Sequence, residues 1–110
     1  RIIATTRIYS PSHVSIQVPP NLSPDINLFF KSGINDLGGI SPITIDWVNP
    51  DHLWPNINDL KNNISSTGQQ LKKRLPVYPE FIEKEWLNED IFEKVNNIID
   101  TDGYPQDANV

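Results

Sequence analysis

The chain has 110 residues, including 10 prolines and 5 glycines, and it contains neither cysteine nor methionine. Its 37% apolar and 21% charged residues are typical of a folded domain, and the length suits one domain or a piece of one. A formal net charge of -5 offers no basic surface for nucleic acid or an anionic membrane, and the lack of cysteine excludes thiol catalysis and cysteine-ligated clusters within these residues.

Apolar periodicity divides the chain into alternating helical and extended segments. Four segments repeat apolar side chains at helical spacing, and they are residues 1–9, 23–33, 55–67 and 88–99. Three segments favour extended backbone through β-branched residues, apolar/polar alternation or bounding prolines, and they are residues 14–18, 34–37 and 70–77. This alternation predicts an α/β fold with a parallel sheet and crossover helices.

Several helix boundaries are marked by residues with strong capping preferences. Ser23 followed by Pro24 predicts the start of the second helix, and Gly33 predicts its left-handed end. Pro55 predicts the start of the third helix, and Asn88 predicts the cap of the fourth.

Three other stretches lack the periodicity of a long element. Residues 40–55 contain three prolines and predict a long loop after the second extended segment. Such a loop inside a compact domain is usually functional. Residues 79–84 predict a single helical turn, and residues 103–110 predict a polar tail.

Four unusual motifs follow one another between residues 14 and 82. The segment Val18–Leu22 reads VPPNL, and Ser32–Thr44 reads SGINDLGGISPIT. Asp46–Pro55 reads DWVNPDHLWP, and Arg74–Pro79 reads RLPVYP. In this order the motifs resemble the C-terminal part of a radical S-adenosylmethionine (SAM) enzyme, in particular the subunit 1 type of 7,8-didemethyl-8-hydroxy-5-deazariboflavin (FO) synthase.

The family's central motif is similar to Gly-Ile-Asn-Asp-Trp-Gly-Gly-Ile-Ser-Pro-x-Thr, followed by Asp-x-Val-Asn-Pro. This chain departs from the family at apolar or conformational positions. Leu37 stands where the family commonly has tryptophan, and Ile45 and Leu53 stand where it commonly has prolines.

The resemblance implies a fold and an activity. Residues 1–110 would be the C-terminal fragment, about three βα units and strands six to eight, of a radical SAM (β/α) TIM-type barrel. The whole enzyme would use a 4Fe-4S cluster and SAM in the cyclising, ammonium-releasing lyase step that forms the deazaflavin chromophore of coenzyme F420. Its substrate would be a tyrosine-derived ribityl-uracil adduct, and its partner the second FO synthase subunit.

The cofactors of such an enzyme are expected to lie elsewhere in the polypeptide. The family holds its cluster with a Cys-x3-Cys-x2-Cys loop, and this chain has no cysteine. We therefore expect the 110 residues alone to bind no cluster, no SAM and no metal, and to be inactive. Neither a targeting signal nor a membrane-spanning run is present in the sequence, so a cytoplasmic parent is expected.

A barrel enzyme builds its substrate site at the carboxyl ends of its strands. The expected substrate-binding residues lie at or just after the ends of the first two extended segments, and they are Gln17, Asn21, Asp36, Gly38, Gly39, Ser41 and Thr44. Asp36 leads this set, because the neighbouring glycines let backbone approach a ligand closely. The amides of Gln17 and Asn21 carry both a donor and an acceptor for a pyrimidine edge. No catalytic residue is assigned.

Each of these residues also has a purely structural interpretation. Asp36 could accept hydrogen bonds from the turn amides that follow it, and Gln17 and Asn21 could pin loops. Ser41 and Thr44 could cap the segment after them. His13 and His52 are expected to be surface histidines without a metal, and the acidic residues of 80–93 to form a solvated face.

Two other functions stay open at this point. The chain could come from another radical SAM barrel, such as the partner synthase subunit or an aminofutalosine-type enzyme. It could also be a non-catalytic α/β interaction module. The stretch from Ser41 to Pro50 favours the subunit 1 type, because we associate it with that type alone.

Overall fold

A computed structural model describes residues 1–109 of the chain. These residues fall into two compact units, residues 1–69 and a second unit that begins at Gln70. The helices within them are α1 (Ile2–Tyr9), α2 (Ile26–Lys31), α3 (Ile57–Ser65) and α4 (Glu89–Asn96). Short 3-10 turns occur at Pro20–Leu22 and Pro79–Phe81, and the second of these confirms the turn predicted for residues 79–84.

All four predicted helices are present, but α2 begins later than the sequence suggested. Its cap is Asp25 rather than Ser23, because the Leu28 amide donates to Asp25 Oδ1 at 3.1 Å. A carboxylate at this position also interacts favourably with the positive end of the helix. The Ser23 hydroxyl donates instead to the carbonyl of Pro19 at 2.9 Å. Gly33 ends the helix with a φ of 107°, as predicted.

Asparagine residues cap the N-termini of helices α3 and α4. Asn56, one residue after the predicted Pro55, caps α3 by accepting from the Asn58 amide at 2.8 Å. Asn88 caps α4 as predicted, and it accepts from the Ile91 amide at 2.9 Å. The α4 helix ends at Asn96, before the predicted end at residue 99.

The β structure of residues 1–109 consists of isolated pairings rather than strands. Gln17 and Asp36 form a parallel pair, supported by hydrogen bonds from the Val18 amide to the Asp36 carbonyl at 3.1 Å and from the Asn35 amide to the Ile16 carbonyl at 3.2 Å. The predicted parallel alignment of the first two extended segments is therefore confirmed, at minimal length. Prolines after one segment and glycines after the other end the ladder.

The predicted third strand, residues 70–77, is wrong. Lys72 in this segment pairs antiparallel with Asn109, and the Lys73 amide donates to the Ala108 carbonyl at 2.8 Å. Pro76 lacks the amide hydrogen that a continued ladder requires. The polar tail therefore supplies the partner of this segment, within the second unit.

The side chain of Arg7 joins α1 to the parallel pair. Its guanidinium donates from Nε to the Gly33 carbonyl at 2.8 Å, from Nη1 to the Val14 carbonyl at 2.8 Å, and from Nη2 to Asn35 Oδ1 at 3.2 Å. The same Asn35 oxygen accepts from the Ile16 amide at 2.8 Å. One arginine thus fixes a helix, a turn and both extended segments.

The apolar core of residues 1–109 is small. Its buried apolar side chains are Ile34, Leu37, Leu60 and Ile64 in the first unit and Ala108 in the second. Many large apolar side chains are exposed instead, among them Ile2, Ile8, Tyr9, Ile43, Trp47, Val48, Leu53 and Trp86. None of the helices in the described range has the length and apolar character needed to cross a bilayer.

We expect Arg7→Lys to destabilise the chain even though it keeps the charge. Lysine lacks the planar fork, so it cannot keep all three hydrogen bonds, of which the one to the Gly33 carbonyl is partly buried. The expected cost is about 1–3 kcal/mol in the free energy of unfolding. Arg1→Lys, the same change at an exposed residue, should alter that free energy by less than about 0.5 kcal/mol. Urea unfolding of both variants measures the difference, and equal losses would contradict the role of Arg7.

Candidate functional site

Three of the predicted substrate-binding residues lie together at the carboxyl end of the parallel pair. Gln17 and Asp36 are the paired residues, and Asp36 Oδ1 accepts from the Gly38 amide at 2.6 Å. Gly38 has a φ of 70°, and a Cβ atom there would collide with the amide nitrogen of the Gln17 side chain. Close packing of Gln17 on Gly38 therefore shapes this end of the pair.

Gly39 differs from its neighbour Gly38 in both backbone conformation and surroundings. It is exposed, its φ lies outside the left-handed region, and a Cβ atom there would have no heavy atom within 4 Å. A backbone approach by a ligand at Gly39 stays a prediction, whereas Gly38 has a structural requirement for glycine.

Asn21 holds the loop of residues 40–55. Its Nδ2 donates to Asp46 Oδ2 at 2.9 Å and to the His52 carbonyl at 3.4 Å. Its Oδ1 is buried and has no hydrogen-bond partner among residues 1–109. This geometry matches the loop-pinning interpretation of Asn21, and its predicted contact with a substrate stays a prediction.

Ser41 and Thr44 form a local turn within the same loop. Ser41 Oγ accepts from the Thr44 amide at 3.0 Å and from the Thr44 hydroxyl at 2.7 Å. The Ser41 hydroxyl hydrogen stays available as a donor. The structure thus shows the capping arrangement for these two residues, and their substrate contacts stay predictions.

Asp46 is the polar centre of the loop, and sequence reasoning assigned it no role. Its Oδ1 accepts from the amides of Val48 at 3.0 Å and Asn49 at 3.2 Å. Its Oδ2 accepts from Asn49 Nδ2 at 3.0 Å and from Asn21 Nδ2 at 2.9 Å. The hydrogen bonds from Asn49 and Asn21 hold the pKa of Asp46 below its ordinary value. The spacing Asp-x-x-Asn is the signal that indicates the local part of this turn.

An open cleft of about 340 Å³ lies elsewhere in the first unit. It is lined by residues from the start of α2 and from α3, among them Asp25, Asn27, Asp59 and Asn63. None of the predicted site residues lines it. Residues 1–109 contain no group of three or more histidine, cysteine, aspartate or glutamate side chains arranged to hold a metal ion, and both His13 and His52 are exposed.

Known proteins that match this chain are archaeal synthases of a deazaflavin. A 7,8-didemethyl-8-hydroxy-5-deazariboflavin synthase of Methanosarcina barkeri is 43% identical over 102 residues, which cover 93% of this chain and 30% of the relative. The synthase of the same name from Methanopyrus kandleri is 42% identical over 94% of this chain and 31% of its own length. That of Methanococcus maripaludis is 49% identical over 74% of this chain and 24% of its own length.

The chain therefore spans about a third or less of the length of these curated relatives. The resemblance inferred from the motifs is confirmed, and it is a similarity to one segment of the FO synthases. No family model and no solved structure matches the chain.

The two neighbouring glycines provide a matched test of the site geometry. Gly38→Ala should lower the free energy of unfolding by about 1–3 kcal/mol, because it places a Cβ on a residue whose φ of 70° lies in the left-handed region. Gly39→Ala should change it by less than about 0.5 kcal/mol. Thermal and urea unfolding compare the pair, and a Gly39 variant as unstable as the Gly38 variant would show the geometry to be wrong.

The Asp46 carboxylate should make stability depend on pH in the acid range. Its pKa in the folded chain lies below the ordinary value of 3.8, so its contribution is complete above that value and is lost as the pH falls through the folded-state pKa. Asp46→Asn should remove this part of the acid dependence. Asp51→Asn, an exposed residue of the same loop, should retain it, as unfolding measured from neutral to acid pH will show.

Proposed function

We propose that this chain is the C-terminal part of a radical SAM FO synthase and supplies part of the wall of its substrate site. The observation that carries the proposal is an identity of 40–49% with deazaflavin synthases over most of the chain. The parent enzyme catalyses the cyclising, ammonium-releasing step that converts a tyrosine-derived ribityl-uracil adduct into the deazaflavin chromophore of coenzyme F420. The second FO synthase subunit, which attaches the tyrosine-derived fragment, is its partner.

The proposed parent enzyme uses a 4Fe-4S cluster and SAM, but the residues of this chain provide no ligands for the cluster. A 4Fe-4S cluster is ligated by cysteine thiolates, and the 110 residues contain no cysteine. We therefore assign the cluster and SAM to the rest of the polypeptide, and no chemical step of this chain passes through them.

The fold of the parent is a (β/α) barrel, and the first unit of this chain contributes a βα arrangement to it. The parallel pairing of Gln17 with Asp36, with helix α2 in the connection between them, supports a βα arrangement in the first unit. In such a barrel the carboxyl ends of the strands carry the substrate site. Gln17, Asp36 and Gly38 lie at that end of the pair.

The chemistry of these groups suits a ribityl-uracil substrate. Asp36 Oδ1 accepts from the Gly38 amide, and each oxygen of a carboxylate can accept from more than one donor. The carboxylate accepts from a ribityl hydroxyl or an amine of the substrate. The amide of Gln17 presents a donor and an acceptor to the pyrimidine edge, and the Ser41 and Thr44 hydroxyls line the wall beyond.

Asp36→Asn in a full-length synthase that carries this segment separates binding from turn formation. Asparagine keeps an oxygen that accepts from the Gly38 amide, so the turn should persist, whereas the negative charge is lost. Loss of a hydrogen bond to a charged group should lower turnover about tenfold or more. Deazaflavin formation is followed by fluorescence under anaerobic conditions, together with iron content and melting temperature.

Asp25→Asn is the matched control, because asparagine and aspartate serve almost equally well as the cap of α2. This control should retain full turnover. An Asp36 variant with full turnover and a lowered melting temperature would show that Asp36 is only a turn cap. A wild-type enzyme that forms no deazaflavin from the adduct would overturn the proposed function itself.

A further inference from the structure

The carboxylate of Asp46 joins the loop of residues 40–55 to Asn21, beyond the end of the first extended segment. We propose that Asp46 is a positioning residue, which holds this loop and the Asn21 side chain in the arrangement that binds substrate. The inference rests on the proposed function, because it assigns a role to Asp46 at the same substrate wall.

The two oxygens of Asp46 serve different parts of the chain. Oδ1 accepts only from neighbouring amides, those of Val48 and Asn49, and so shapes the loop locally. Oδ2 accepts from the side chain of Asn49 and from that of Asn21, which is 25 residues away in sequence. The link through Oδ2 therefore determines where the loop lies relative to the strand end.

Asn21 is oriented by this link. A carboxylate only accepts hydrogen bonds, so the group that faces Asp46 must be the amide nitrogen of Asn21 and not its oxygen. The second hydrogen of that nitrogen points to the His52 carbonyl at 3.4 Å, in the same loop. Both donors of Asn21 thus bind the loop, and a flipped amide would place two oxygens together.

The position of Asp46 explains why its loss should affect binding more than chemistry. It lies between the Ser41–Thr44 turn and His52, so both sides of the loop move if the Oδ2 link is broken. Asp46 itself forms its hydrogen bonds with protein groups and need not touch the substrate. A substitution that weakens binding of the ground state and of the transition state equally raises KM and leaves kcat unchanged.

An exchange of donor and acceptor tests this role in the full-length synthase. Asp46→Asn keeps an oxygen for the backbone amides but turns a donor towards Asn21. Asn21→Asp places a carboxylate opposite that of Asp46, so that two acceptors face each other. The double variant, Asn21→Asp with Asp46→Asn, restores a donor facing an acceptor between the two positions, and Asp51→Asn applies the same charge change to an exposed loop residue.

The expected result is a KM for the adduct raised about tenfold in each single variant, with kcat within about twofold of wild type, because both variants lose the charge-assisted hydrogen bond between Asn21 and Asp46. The double variant should recover part of the affinity, because the hydrogen bonds to Asn49 and to the His52 carbonyl are not restored by the exchange. Asp51→Asn should match wild type. Amide hydrogen exchange of residues 40–55 should rise in the single variants and fall again in the double variant.

The outcomes separate this inference from the proposed function. An active wild type whose single variants keep their KM, or lose only kcat or melting temperature, overturns the positioning role and leaves the proposed function intact. A wild type that forms no deazaflavin overturns the proposed function. In that case unchanged exchange in the single variants also overturns the link between Asn21 and the loop, while increased exchange supports it.

Discussion

The guanidinium of Arg7 is the interaction on which the arrangement of the first unit depends. Two residues of parallel pairing are too few to align two segments by backbone hydrogen bonds alone. Hydrogen bonds from the Arg7 side chain help to align the two extended segments. Its guanidinium donates to the Gly33 carbonyl, to the Val14 carbonyl and to Asn35 Oδ1. Asn35 connects Arg7 to the first extended segment, because the oxygen that accepts from Arg7 also accepts from the Ile16 amide.

The geometry of the candidate site follows from this alignment. Where Gln17 and Asp36 pair, the Gln17 side chain lies against residue 38, and the φ of 70° at that position favours glycine. The Asp36 carboxylate then meets the Gly38 amide, which closes the turn. Asn21 is held by a second polar centre, at Asp46.

Sequence patterns predicted the parts of this structure that are determined locally. Helices α1 to α4 follow from apolar spacing, and the parallel alignment follows from two short extended segments joined through a helix. The cap of α2 was misplaced because Ser23 and Asp25 are both good caps, and only the path of the chain selects between them. The prediction of a third parallel strand was wrong because this segment pairs with the polar tail, which carries no strand pattern. The link between Asn21 and Asp46 joins residues far apart in sequence, which no local periodicity records.

Because the apolar core of the first unit is small, the loop of residues 40–55 is held mainly by hydrogen bonds. The first unit buries few apolar side chains, while Trp47 next to Asp46 is 82% exposed, so burial does little to hold the loop in place. Trp47 and the equally exposed Val48 beside it would be covered if the loop packed against other polypeptide, and the longer relatives contain at least twice as much further chain. The conformation of the loop must therefore depend on its hydrogen bonds, above all those of Asp46. Because Asp46 lies outside the buried core, loss of its hydrogen bonds should displace the loop under conditions in which the first unit stays folded.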